Sequence, residues 1–114
     1  MDILVILNDP PYGTERSYNG LRLVKAVSRK DAKVTVFLMA DAVICAKRGQ
    51  QVPQGFYNIE LMLKSVIRKG QVLLCSTCMD ARGLRDEEVL EGAVRSNMDE
   101  LAQYTLSADK VLIF

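Results

Sequence analysis

The sequence predicts an α/β fold, a three-layer α/β/α sandwich around a five-stranded parallel sheet, built as one domain over residues 1–114. Three observations carry this reading. Short apolar runs of strand length at 3–7, 33–38 and 72–75 alternate with segments of helical periodicity, which is the pattern of βαβ units. The runs are apolar at consecutive rather than alternate positions, as in strands covered on both faces of a parallel sheet. Gly, Pro, Asn and Asp gather between the periodic segments, and neither an internal repeat nor a linker interrupts them.

Ile3-Leu-Val-Ile-Leu7 reads as the first strand, and Asn8-Asp-Pro-Pro-Tyr-Gly13 stops it with loop residues. A helix over about 15–29 follows, with Gly20, Leu23, Val24 and Val27 at helical spacing and Arg22, Lys25 and Arg29 on the opposite face. Residues 33–38 form the second strand. Asp41 is the expected cap of a short helix that runs through Ile44 and Cys45 to about residue 47. Residues 48–58 show no periodicity, and a loop of that length in a compact domain is usually functional or contacts a subunit. Ile59, Met62, Leu63, Val66 and Ile67 mark the next helix, closed by Gly70.

The third strand ends at Cys75. Ser76 or Thr77 is then the expected cap of a helix that begins between Cys75 and Cys78 and reaches Gly83. Residues 84–94 suggest a small helical turn and a short strand near 89–94. Ser96-Asn-Met-Asp99 has the form of a capping box with Asp in place of Glu, opening a helix striped by Met98, Leu101, Ala102, Thr105 and Leu106. The last strand covers 110–114.

Composition removes several function classes. The net charge of +1 gives no concentrated basic face for nucleic acid, so no nucleic-acid partner is expected. The first apolar run is only a strand's length, which predicts neither a signal peptide nor a membrane span and makes the cytoplasm the expected location. The chain has no histidine, which removes Ser-His and Cys-His catalysis and most zinc-enzyme designs. Neither G-x-G-x-x-G nor a Walker pattern is present, so no cofactor is expected. No resident metal is expected either, since two thiolates are half of a four-thiolate zinc site and Cys45, a carboxylate or a neighbouring subunit would have to complete it.

The chemistry is concentrated in Gln71-Val-Leu-Leu-Cys75-Ser-Thr-Cys78-Met-Asp-Ala-Arg82-Gly83. Open α/β sheets place ligands and chemistry at the carboxyl ends of their strands, which is where Cys75 falls. Cysteines spaced i, i+3 share one side of a helical turn and can approach each other closely enough to pair. A thiol at a helix N-terminus gains about 0.3–1 kcal/mol in its charged form. Cys75, ahead of the first turn, is expected to be the more accessible thiol, and Cys78, turned along the helix, the less accessible. Arg82, four residues past Cys78, either holds a sulfur-bearing anion near the thiols or pairs with Asp86 at i, i+4. Cys45, within an apolar helical stripe, reads as core. Tyr12 and Tyr57, with Gly13 and Thr14, are loop residues that could line the cysteine pocket or an interface.

Asp9-Pro-Pro-Tyr-Gly-Thr14, Phe37-Leu-Met-Ala-Asp-Ala-Val43, Arg48-Gly-Gln50, Gly55-Phe-Tyr-Asn58, Leu74-Cys-Ser-Thr-Cys-Met-Asp-Ala-Arg-Gly83 and Leu106-Ser-Ala-Asp-Lys-Val-Leu112 together resemble the DsrE/DsrF/DsrH-like family, most closely its YchN-like branch. The resemblance runs almost end to end and implies a five-stranded parallel sheet between helical layers. It also implies a homo-oligomer, a hexamer in particular. Carrier members of that family hold a persulfide on one cysteine and pass the sulfur along a relay between donor and acceptor proteins. Their cysteine stands eight residues before the glycine of an Arg-Gly pair, and counting back from Gly83 puts the carrier role on Cys75.

Cys78 departs from the carrier pattern. A second thiol one turn away can attack a persulfide on Cys75, release sulfide and close a disulfide. The leading expectation is therefore sulfur relay on Cys75 with Cys78 as resolving thiol, which would make the protein a sulfurtransferase-type carrier. Two alternatives stand beside it. One is a dithiol redox sensor, although no proline precedes a strand as in thioredoxin-type sites. The other is a non-catalytic homo-oligomeric assembly protein that binds a small ligand where loops 9–14 and 48–58 approach the cysteines.

Overall fold

The structure, a computed structural model, describes residues 1–114. Five strands, β1 (Asp2–Leu7), β2 (Lys33–Leu38), β3 (Gln71–Cys75), β4 (Ala93–Ser96) and β5 (Lys110–Ile113), form one sheet in the order β4-β3-β2-β1-β5. Every pairing is parallel. Parallel neighbours cannot be joined by a tight turn, so each connection must cross over the sheet, and helices do most of the crossing. They are α1 (Arg16–Ser28), α2 (Ile59–Lys69), α3 (Ser76–Ala81) and α4 (Met98–Ser107), with 3₁₀ segments at Ala40–Ala46 and Asp86–Glu88.

Ile3, Leu4, Val5, Ile6 and Leu7 are all buried, as are Val36, Phe37 and Leu38, so β1 and β2 are covered on both faces. This is the three-layer arrangement that the consecutive apolar runs predict. α1 and α2 pack side by side, and Leu21, Val24, Leu63 and Val66 are buried on them. α4 carries the chain from β4 at one edge to β5 at the other and rests on β1.

Local signals hold where they rest on strong caps. Asn58 caps α2 by accepting the amide of Leu61 at 3.1 Å. Gly70 closes α2, its amide donating to the Val66 carbonyl at 2.8 Å, and only glycine fits there because a Cβ would lie 2.1 Å from the Val34 carbonyl oxygen of β2.

Other expectations shift. Asn97, not Ser96, caps α4 by accepting the Glu100 amide at 2.9 Å, while the Ser96 hydroxyl donates to the Glu100 carboxylate. The 3₁₀ segment at 40–46 follows Met39 in extended conformation, and Asp41 caps nothing. Leu23 is exposed, with Leu21 turned inward in its place, and Met98 and Leu106 lie on the open side of α4. The fourth strand starts at Ala93, later than its apolar signal, and β5 closes at Ile113, with Phe114 still donating to the Ile6 carbonyl at 2.8 Å and accepting the Asn8 amide at 3.0 Å.

Candidate functional site

The carboxyl ends of β2 and β3 meet at the thiols. β3 delivers Cys75 to the sheet edge, where the sulfur itself caps α3: the Cys78 amide donates to it at 3.4 Å. Neither Ser76 nor Thr77 serves as the cap; the helix begins directly after the cysteine. The Thr77 hydroxyl lies 3.3 Å from the same sulfur. Burial opposes ionisation of Cys75, but hydrogen bonds from the Cys78 thiol, the Thr77 hydroxyl and the amides of both residues outweigh it, holding the Cys75 thiol below its ordinary range. Cys78 moves the other way: burial and its bond to Cys75 push its thiol up, against the Ala40 amide and the Arg82 guanidinium, which favour its thiolate. Cys75 is thus the more acidic thiol of the pair and Cys78 the less acidic. All three cysteines are free.

The accessibility order differs from the sequence expectation. Cys75 is 7% exposed and counts among the buried core, whereas Cys78 is partly open. The last residue of a strand is still inside the sheet layer, and the turn that follows it lies over its sulfur, so leading the helix does not confer exposure.

Arg82 closes α3 from the other end. Its Nε donates to Asp41 Oδ1 at 2.8 Å and its Nη1 to the Cys78 carbonyl at 3.1 Å. The i, i+4 pair with Asp86 does not form, because Asp86 accepts from Arg95 instead. Ala40, which starts the segment carrying Asp41, adopts a left-handed φ of 50° beside Cys78. Gly83, at φ 64°, makes the corresponding left-handed turn after the helix.

Tyr12, Gly13, Thr14 and Tyr57 build a separate region. The loop after β1 is folded on Asp9, whose carboxylate accepts from the Thr14 hydroxyl at 2.6 Å and whose carbonyl accepts from Ser17 at 2.8 Å. Gly13 sits against Pro10, 2.9 Å from where a Cβ would be. The Tyr12 hydroxyl donates to Gln50 Oε1 at 2.5 Å and accepts the Ile59 amide at 3.1 Å, pinning the long loop 48–58. Tyr57 stacks on Tyr18 with ring centres 3.9 Å apart and on Tyr12 at 5.7 Å. A groove of about 340 Å³ between α1 and α2 is lined by Leu21, Val24, Tyr57, Leu61 and Met62, and Phe56 projects at its rim, 71% exposed. Neither this groove nor the smaller hollow beside Tyr12 includes Cys75 or Cys78. The tyrosines and the thiols are therefore two places, not one pocket.

Cys45 is wholly buried, its thiol 3.6 Å from the Asp9 carbonyl, and burial pushes it up to about 12. It is a core residue, as its apolar stripe predicts. Cys75 and Cys78 are joined by no third His, Cys, Asp or Glu in a set able to hold a metal ion. No helix is long and apolar enough to cross a membrane. Sequence spacing gave no sign of Tyr18, of Asp41 as the partner of Arg82, or of Arg95; each meets its partners through the fold, not through local periodicity.

A family model described as the DsrE/DsrF-like family matches residues 1–114. Protein YchN of Escherichia coli (strain K12) is 42% identical over 115 aligned positions, covering 98% of this chain and 97% of YchN. The uncharacterized protein MJ0989 of Methanocaldococcus jannaschii is 35% identical, with both chains covered in full. Among solved structures, the crystal structure of the ychN protein from E. coli superposes with a TM-score of 0.94 at 41% identity, covering 100% of this chain and 99% of that one. MTH1491 of Methanobacterium thermoautotrophicum, a protein of unknown function, superposes at 0.78 with 13% identity over 99% of this chain and 97% of its own, a likeness of fold alone.

Proposed function

Since this chain belongs to the DsrE/DsrF-like family, we propose that it is a sulfur-relay protein which carries sulfane sulfur on Cys75, with Cys78 as the resolving thiol. The observation that carries this reading is the set of donors converging on one sulfur: the Cys75 thiol, at the carboxyl end of β3, is held below its ordinary range by Cys78 and Thr77. Only the thiolate is nucleophilic, so Cys75 is the residue prepared to attack.

In the loading step the Cys75 thiolate attacks the outer sulfur of a donor persulfide. A new S–S bond forms, the donor's own S–S bond breaks, and the donor leaves as its thiolate. An acceptor thiolate can then take the outer sulfur in the same way. Without an acceptor, Cys78 gives up its proton and attacks the inner sulfur. A Cys75–Cys78 disulfide forms, the outer sulfur leaves as hydrosulfide, and the two cysteines supply the two electrons that reduce it. The spacing of one helical turn suits that closure.

The relay partners are a sulfur donor and a sulfur acceptor protein, and the compartment is a reducing cytoplasm, where free thiols persist. The same reading includes a homo-oligomer, with a hexamer expected from the family resemblance; the exposed Phe56 and Leu61 beside the α1–α2 groove support an interface there. The test is the mass of the intact protein after exposure to a persulfide donor. One added sulfur, about 32 Da, localised to Cys75 is expected. No added sulfur with any persulfide or thiosulfate donor would refute the carrier role.

That groove favours a second reading, a non-catalytic protein that binds a small apolar ligand between α1 and α2. Ligand binding that is indifferent to Cys75→Ser would mark it.

A further inference from the structure

We propose that Arg95 is a positioning residue for Cys75, tying β4 to the first turn of α3 so that the donors of that turn stay aimed at the Cys75 sulfur. The parallel register sets Arg95 opposite Leu74 and Ser96 opposite Cys75, which brings the guanidinium alongside the turn that follows the cysteine. Its Nη1 donates to the Ser76 hydroxyl at 2.7 Å, to the Ser76 carbonyl at 3.3 Å and to Asp80 Oδ1 at 3.2 Å, while its Nε donates to Asp86. The three bonds to Ser76 and Asp80 are the only side-chain hydrogen bonds between β4 and α3. Arg82 and Asp41 fasten the far end of the same helix, so a six-residue helix is held at both ends.

The contribution of Arg95 is geometric. Asp80 and Asp86 are exposed, and ion pairs to such groups add little stability of their own. They also offset the charge of the guanidinium before it can act on the thiols. What remains is a planar fork that grips a carbonyl, a hydroxyl and two carboxylates at once, which a lysine ammonium on a flexible stem cannot reproduce. Ser76 stands between Cys75 and the two residues whose hydroxyl and amides bond its sulfur. Once Ser76 is released, those donors are free to stray. The thiolate then loses the contacts that favour it.

This rests on Cys75 as the sulfur-accepting thiol, but its test needs no sulfur transfer. The rate of Cys75 alkylation by iodoacetamide is measured against pH, by peptide mass, in the native protein, Arg95→Met and Arg95→Lys, with circular dichroism to establish that each is folded. The midpoint is expected to rise by about half a pH unit or more in Arg95→Met, and Arg95→Lys is expected to retain most of that rise. An unchanged midpoint in the folded variants would overturn the proposal. So would a midpoint restored to the native value by lysine, which would mean that charge alone matters. If Arg95→Met does not fold, Arg95→Lys decides by itself: a raised midpoint supports the tether and a native one removes it. Failure of sulfur loading with a shifted midpoint would strike the relay reading and leave the role of Arg95 standing.

Discussion

Replacing Thr77 by Val tests directly whether the Cys75 thiolate is made by its neighbours. The change removes the hydroxyl that lies 3.3 Å from the sulfur and keeps the shape of the side chain and the backbone amide. A well-formed hydrogen bond to a charged group contributes about 1.5–3 kcal/mol. At this length, on an exposed residue, about 1 kcal/mol is the reasonable share, since water competes for the hydroxyl. With 1.36 kcal/mol to each pH unit, the midpoint for Cys75 should rise by about 0.7. Below the midpoint the labelling rate should fall by up to fivefold, slightly less because a more basic thiolate is intrinsically the better nucleophile. The assay is iodoacetamide labelling from pH 5 to 10, about the span in which protein thiols titrate, with Cys75 followed by peptide mass. A midpoint within about 0.2 of the native value would refute the argument that side-chain donors set the state of this thiol.

Other outcomes follow from the same geometry. Cys75→Ser should abolish sulfur loading, whereas Cys78→Ser should lengthen the life of a persulfide on Cys75, read by intact mass over time; loading that survives the first change and disappears in the second would reverse the roles. Cys45, up at about 12 when folded against an ordinary 9.0, keeps its proton while the unfolded chain releases it, so its contribution is intact below pH 9 and is lost as pH rises towards 12. Urea unfolding should show an alkaline decline of up to about 1.4 kcal/mol per pH unit beyond that of Cys45→Ala; identical slopes in the two proteins would contradict its burial. Gly70→Ala should cost several kcal/mol, about 10 °C or more in Tm, because the Val34 carbonyl that a Cβ would meet belongs to a central strand and cannot withdraw. Sedimentation at micromolar concentration should reveal a homo-oligomer that Phe56→Asp weakens, and a native protein that runs only as a monomer would remove that expectation.

The amino-acid sequence by itself determined the elements and their class. Strand and helix signals such as Ile3–Leu7, the stripe through Leu63 and Val66, and Gly70 at its end are written in residues a few positions apart, because backbone sterics and solvent act over that range. The Cys75 and Cys78 spacing was legible for the same reason, as was the core role of Cys45. The tertiary structure alone decided who meets whom. Arg82 could choose Asp86 within its own segment, yet the meeting of the β2 and β3 ends brings it Asp41, and the β3–β4 register gives Asp86 to Arg95. Tyr12 and Tyr18 gather round Tyr57, away from the thiols, because the long loop folds back over α1 and α2. Cys75 is covered where its position in the chain suggested exposure. Ion partners, stacking and burial depend on distances across the sheet that no local spacing encodes, and those distances exist only once five strands have closed in one order.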